Sequence, residues 1–206
     1  MIALSILIAT TPDRHEMFTS LFNELHRQLE YIQTFHKSLG RIEILIDDSK
    51  RFLEGGLSIG KKREALMKRA EGKYLCFVDS DDKISGNYLE TIMRLCKQDA
   101  DVITFRSFAM LETFWTVIDM SLNHGDNQQA NPDFIVRRKP WHVCPVKSHY
   151  AKIHNFDDIN YGEDWRWYEK VLQSCKTEVH TDAILHMYIH GKHSEADKIT
   201  AHESRV

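Results

Sequence analysis

The sequence predicts an α/β domain built on a mostly parallel central sheet with helices packed on its faces. Two observations carry this. Apolar runs of strand length alternate with helical stripes through the first half of the chain, and polar or acidic clusters follow the strands directly. Ala3 to Ala9 is almost continuously apolar, as in a strand buried on both faces. From His15 to Ser38, Phe18, Leu21, Leu25, Leu29 and Ile32 form a helical stripe. Ile42, Ile44 and Ile46 make a second strand that stops at Asp47-Asp48-Ser49. Ser58 is placed to cap a helix carrying Leu66, Met67 and Ala70. Tyr74 to Val78 is a third strand, ending in Asp79-Ser80-Asp81-Asp82. A helix from Ser85 buries Leu89, Ile92, Met93 and Cys96, and Asp101 to Phe105 is a fourth strand. Strands separated by such helices pair in parallel through right-handed crossovers, and ligands then bind at the carboxyl ends of the strands. Thr10-Thr11, Asp47-Asp48 and Asp79 to Asp82 fall at those ends.

The second half is less regular. Phe108 to Met120 reads as a hairpin or one long strand, and Asn123 to Pro132 as a polar loop. A helix is expected from Glu163 to Cys175, then short strands at Thr177 to Thr181 and Ala183 to Ile189. One domain is expected over residues 1–206. It comprises a first half (1–106), a second half (107–193) and a polar tail (194–206).

Composition narrows the function classes. The 206 residues are 42% hydrophobic and 28% charged, enough for a buried core and unlike a disordered chain. With 27 Lys+Arg against 30 Asp+Glu, the total charge gives no reason to expect a coat for nucleic acid or a membrane-surface binder. No apolar run is long enough to span a bilayer, and the N-terminus lacks the basic segment of a signal peptide, so a soluble cytoplasmic protein is expected. Cys76, Cys96, Cys144 and Cys175 form no CxxC pair; three of them fall in apolar periodic segments and read as packing thiols, and a reducing compartment fits. Histidine is in excess, with eight of 12 in the last third.

Three carboxylates crowded after a buried strand repel one another unless a cation is near, and hard oxygen donors suit Mg²⁺ or Mn²⁺. Just upstream, Lys61-Lys62-Arg63 places bases near a helix start aimed at the same crevice, where a diphosphate can be met.

The block from Arg63 through Ala70-Glu71-Gly72-Lys73-Tyr74 to Asp79-Ser80-Asp81-Asp82 resembles the signature of family 2 glycosyltransferases with the GT-A fold. Ser5 to Pro12 and Ile44 to Ser49 resemble the first two strands of that family. Phe156 through Tyr161-Gly162-Glu163-Asp164-Trp165 resembles its Glu-Asp motif on the acceptor side. Two departures stand out: Ser49 follows Asp48 where Gly-Ser is usual, and Glu64 follows Arg63 where Asn is usual.

The resemblance implies a metal-dependent inverting transfer from a UDP-sugar donor. It puts Thr10, with Asp47 or Asp48, at the uridine, and Arg63, Lys62 and Ser80 toward the nucleotide or its diphosphate. Asp79 is implied at the ribose or the metal, and Asp81 as principal ligand of Mn²⁺ or Mg²⁺. Asp82 is read as a helix cap. Asp164, with Glu163 beside it, is implied as the catalytic base that takes the acceptor's proton. A late His often joins the metal or phosphate site of such enzymes, which makes His190 and His193 metal candidates ahead of His186. Trp165 is read as packing, and Trp141 is open between packing and acceptor. The acceptor is open among a glycan, a lipid-linked sugar and a modified nucleobase in DNA; the last would call on Arg137, Arg138, Lys139 and Lys147. A nucleotidyltransferase is the alternative enzyme, although no Gly-rich basic loop follows the first strand. A catalytically silent nucleotide-sugar-binding module is the alternative without chemistry.

Overall fold

The structure, a computed structural model, describes residues 1–50, 55–111, 114–125 and 135–189. Strand β1 (Ile2–Ala9) pairs in parallel with β2 (Arg41–Asp47) on one side and β3 (Tyr74–Phe77) on the other. Leu4, Ile6, Leu7 and Ile8 are wholly buried, as their unbroken apolar run predicts. Helix α1 (His15–Phe35) connects β1 to β2 and buries Leu21, Leu25 and Ile32 from its stripe. Helix α2 (Ile59–Arg69) connects β2 to β3, and Ser58 caps it by accepting from the Lys61 N–H at 3.2 Å.

A two-residue strand, β4 (Lys83–Ile84), follows the acidic turn. Helix α3 (Tyr88–Cys96) starts three residues later than Ser85 and buries Leu89, Ile92, Met93 and Cys96. Strand β5 (Val102–Leu111) outlasts its expected end, and β6 (Phe114–Met120) returns antiparallel to it, which settles that stretch as a hairpin. Strand β7 (Ile135–Arg138) lies parallel to β6.

The sheet runs β2-β1-β3-β8-β5-β6-β7. Its parallel core is β2-β1-β3; β8 (Val146–Lys147), which no apolar period announced, fits antiparallel between β3 and β5. A four-residue helix, α4 (Ser148–Ala151), and then α5 (Glu163–Leu172) follow. The last strand, β9 (Glu178–Ile189), is continuous where two strands were expected. It pairs in parallel with β5, with register shifts, and antiparallel with β4. All four cysteines are free, and three are buried.

Two contacts fix the frame beneath the acidic turn. Gly72 lies against β1: a Cβ there would stand 2.6 Å from the Ser5 nitrogen and 2.7 Å from the Tyr74 oxygen, so the entry to β3 needs a glycine. Trp167 of α5 stacks on Phe156 at 4.5 Å and meets the Phe77 ring edge-on at 5.6 Å, which ties α5 to the end of β3.

Candidate functional site

A cleft of about 440 Å³ opens beyond the carboxyl ends of β1 and β3. Its walls include Arg14, Arg63, Asp79, Asp81, Glu163 and Asp164. The acidic turn and the Glu-Asp pair, at least 81 positions apart in the sequence, are therefore neighbours across one cavity, as are the bases beside them. Local chemistry explains the assembly. The start of α2 docks on the loop ahead of α5: Ser58 Oγ donates to Asp158 at 2.5 Å, the Ile59 N–H to Asn160 at 3.0 Å and the Gly60 N–H to the Ile159 carbonyl at 3.2 Å. A Cβ on Gly60 would collide with the Asp157 carbonyl, so this approach also requires glycine.

Arg63 is the hub. Its guanidinium, 4% exposed, lies 2.8 Å from Asp79 and 3.1 Å from Glu163, with Cζ 5.3 Å from the Phe77 ring centre. Burial opposes its charge, yet Asp79 and Glu163 hold it firmly protonated. On the far side, His142 bridges the acids: Nε2 is 3.3 Å from Asp79 and Nδ1 is 2.7 Å from Asp164. The Phe77 N–H donates to the His142 carbonyl at 2.9 Å, which sets the ring two residues from the acidic turn.

Burial and Arg63 disfavour a charged His142, but Asp79 and Asp164 outweigh them and lift its pKa to about 9. Burial alone would raise Asp79 and Asp164; Arg63 and His142 overcome it for Asp79, and chiefly His142 for Asp164, holding both well below the usual carboxylate range. Glu163 moves the other way, because burial outweighs Arg63. Burial and the Asp79 charge push Asp81 up to about 6, against the pull of Arg14. The folded protein holds the His142 proton more tightly than an unfolded chain, whose imidazole has an ordinary value of 6.5. This contribution is complete below about pH 6.5 and is lost as pH rises through about 9. In metal-free buffer, thermal unfolding should show the native protein losing a few kcal/mol more than His142→Gln across that window; parallel pH profiles would contradict the assignment.

The other expected residues fall in several places. Ser80 is wholly buried, with its hydroxyl 3.5 Å from Arg14. Thr10 is 4% exposed at the end of β1, outside the cleft walls, and its Oγ1 has no hydrogen-bond partner among the described residues. Lys62 does not line the cleft: it is buried and donates to the carbonyls of Thr10 (3.0 Å) and Ser49 (2.5 Å), joining the ends of β1 and β2. Asp47 accepts from the Ser49 N–H at 3.0 Å, and Asp48 is exposed. His190 and His193 lie outside the described residues.

His186 is 2% exposed and wedged between Asp82 (2.8 Å) and the Ser107 hydroxyl (3.0 Å). Asp82 is therefore no helix cap: it ties the acidic turn to β9 and accepts from the Asp79 N–H at 3.3 Å. Trp165 is not core packing either. It lines the cleft, and Arg138 sits between it and Trp141, with Cζ 5.2 and 4.1 Å from the two ring centres. The packing tryptophan of α5 is Trp167. Lys147 lies away from Arg138, opposite Tyr74 at the start of β3, and its ammonium is paired with Asp99 and Asp101.

Two basic residues at the site had no expected role: Arg14, which lines the cleft, and His142, which is buried between Asp79 and Asp164. Arg14 ends a 3₁₀ turn (Pro12–Arg14) just after β1 and lies 3.3 Å from Asp81. A polar turn after the first strand was the only sequence signal for it; nothing local marked His142.

The donor set at Asp81 suits Mg²⁺ or Mn²⁺. Such ions take one or two carboxylates and complete their shell with water and substrate phosphates. Asp81 lines the cleft at 29% side-chain exposure, whereas both Asp79 oxygens face Arg63 and His142. A second group of possible ligands, Asp119, His180 and Asp182, brings its atoms within 4.8 Å of one another. There Arg106 already supplies positive charge, 3.2 Å from Asp119 and 2.6 Å from Asp182.

No protein-family model and no curated protein matches this sequence. Solved structures do. The crystal structure of S. aureus TarS 1-349 aligns with a TM-score of 0.61 at 15% identity, covering 91% of this chain and 60% of that one. TarS 1-349 in complex with UDP-GlcNAc aligns at 0.62 and 14% identity, covering 94% and 60%. The complex with UDP aligns at 0.60 and 15%, covering 93% and 61%. The chain has the GT-A fold. This agrees with the resemblance carried by the four sequence blocks. The chain spans about three-fifths of the length of these solved chains. Among the described residues, no helix is long and apolar enough to cross a membrane.

Proposed function

We propose that the chain is a metal-dependent inverting glycosyltransferase that moves a sugar from a UDP-sugar to an acceptor hydroxyl. The observation that carries this reading is the meeting of Asp79 and Asp81 with Glu163 and Asp164 across one cleft at the strand ends. The UDP and UDP-GlcNAc complexes of TarS, on the same fold, support a nucleotide-sugar donor.

In this reading residues 1–106 bind the donor and 107–193 face the acceptor. Thr10, Asp47 and Asp48 receive the uridine, Lys62 shapes that pocket through the carbonyls it joins, and Arg63 and Ser80 organise the acidic turn beneath the diphosphate. Asp81 would hold Mn²⁺ or Mg²⁺, which when bound supplies positive charge against the leaving diphosphate. His190 and His193, outside the described residues, are further metal candidates. Asp164 takes the proton of the acceptor hydroxyl as that oxygen attacks the anomeric carbon. The bond from that carbon to the diphosphate breaks on the opposite face, and UDP leaves with the electron pair. Glu163, locked on Arg63, is the less available base. The acceptor, a glycan, a lipid-linked sugar or a modified base in DNA, lies toward Trp141 and Trp165.

Calorimetry with UDP, GDP and CDP, each with and without Mn²⁺, tests the donor. UDP should bind best and only tightly with Mn²⁺, and Asp81→Ala should weaken that binding at least about tenfold. Equal binding of all three nucleotides, or of UDP regardless of Mn²⁺, would overturn the reading.

A further inference from the structure

Resting on the donor reading above, we propose that Arg14 shares Asp81 with the divalent cation: the guanidinium holds the carboxylate until the cation arrives, then turns to the donor diphosphate. The geometry points to Arg14 rather than to its neighbours. Arg63 is held between Asp79 and Glu163, His142 lies between Asp79 and Asp164, and Arg138 is layered between two indole rings. Arg14 reaches Asp81 from the turn after β1, 3.3 Å away and 12% exposed, with the Ser80 hydroxyl at 3.5 Å. That turn is braced by the Thr11 hydroxyl, which donates to Asp13 at 2.7 Å, and Arg14 lines the same cleft as Asp81.

A guanidinium and a divalent cation on one carboxylate repel each other more strongly than the two singly charged groups, Arg63 and His142, that Asp79 accommodates. A cation entering at Asp81 therefore displaces the guanidinium, whose fork of donors suits phosphate oxygens. A diphosphate pulls in the same direction, since it accepts Arg14 and bridges the cation. Cation and nucleotide then favour each other's binding, and this coupling is necessarily reciprocal. Arg14 thus discourages the metal from binding alone and rewards its arrival with the donor.

Opposite signs in two titrations test this. Free Mn²⁺ is followed by electron paramagnetic resonance with protein alone, and UDP binding by calorimetry at saturating Mn²⁺. In Arg14→Ala, Mn²⁺ alone should bind about fivefold more tightly, because its competitor is gone. UDP with Mn²⁺ should bind about tenfold more weakly, because a phosphate partner is gone. Arg14→Gln should repeat the pattern, and Arg14→Lys, which keeps the charge without the fork, should fall between it and the native protein. Circular dichroism confirms that each variant folds. Unchanged or weaker Mn²⁺ binding in Arg14→Ala and Arg14→Gln, or unchanged UDP binding, would overturn the proposal. Because the Mn²⁺ titration contains no nucleotide, failure of the native protein to bind UDP would sink the donor reading while the competition at Asp81 is still read separately.

Discussion

Arg63→Met is expected to lower the stability of the fold by about 3–5 kcal/mol, the usual result of removing one partner from a buried ion network. The guanidinium is 4% exposed and is the counter-charge shared by Asp79 and Glu163. Methionine can fill much of its volume against Phe77, so the loss comes from carboxylates left without a partner rather than from a cavity. Asp79 keeps His142, whereas Glu163, 5% exposed at its side chain, loses its ion pair. Burial already raises Glu163 in the native protein, and without Arg63 it must rise further. The folded variant then binds that proton more tightly than the unfolded chain does, so the variant loses stability as pH rises. Urea denaturation should show a larger deficit at pH 8 than at pH 5. Arg63→Met with Glu163→Gln should recover part of the loss, since the double change removes the stranded charge. A deficit below about 1 kcal/mol at both pH values would contradict the network.

The second large effect concerns transfer. Asp164→Asn should leave UDP binding within about twofold and slow sugar transfer from the donor by about 10²–10⁴. The amide preserves shape and a contact with His142 but cannot take a proton. UDP release measured with a panel of glycan acceptors gives the rate, and calorimetry gives the binding. The native pairing with His142 carries a trade-off: it keeps Asp164 ionised down to low pH, yet lowers its affinity for the proton it must accept. His142→Gln should therefore raise the Asp164 pKa and move the acidic limb of the rate profile upward. Full transfer by Asp164→Asn would remove Asp164 from the chemistry.

Features encoded locally were the legible ones. The unbroken run of β1, the Ser58 cap and the acidic turn after β3 each follow from adjacent residues, and all appear as expected. The Glu-Asp pair at the start of α5 was legible for the same reason. The misread tryptophan is instructive, because helical spacing contained the answer. Glu163, Trp167 and Val171 recur every four residues and are buried, while Trp165 falls off that stripe and faces the cleft. Strand β8 was hidden because two residues carry no period, and its place depends on Tyr74 and Val102 on either side. His142 was equally hidden: its position rests on a backbone bond from Phe77, 65 residues away. Arg14 lies beside β1 in sequence, but its partner arrives from the turn after β3. Of the late histidines, His186 serves a buried contact with Asp82.

The central claim is that the cleft between the acidic turn and α5 binds a nucleotide diphosphate together with a cation on Asp81. Crystals grown with UDP and Mn²⁺, with data collected near the manganese absorption edge, test it directly. The account predicts an anomalous peak at Asp81, in contact with UDP phosphate oxygens inside the cleft. Manganese at Asp119, His180 and Asp182 instead, or UDP bound away from Asp81, would contradict it.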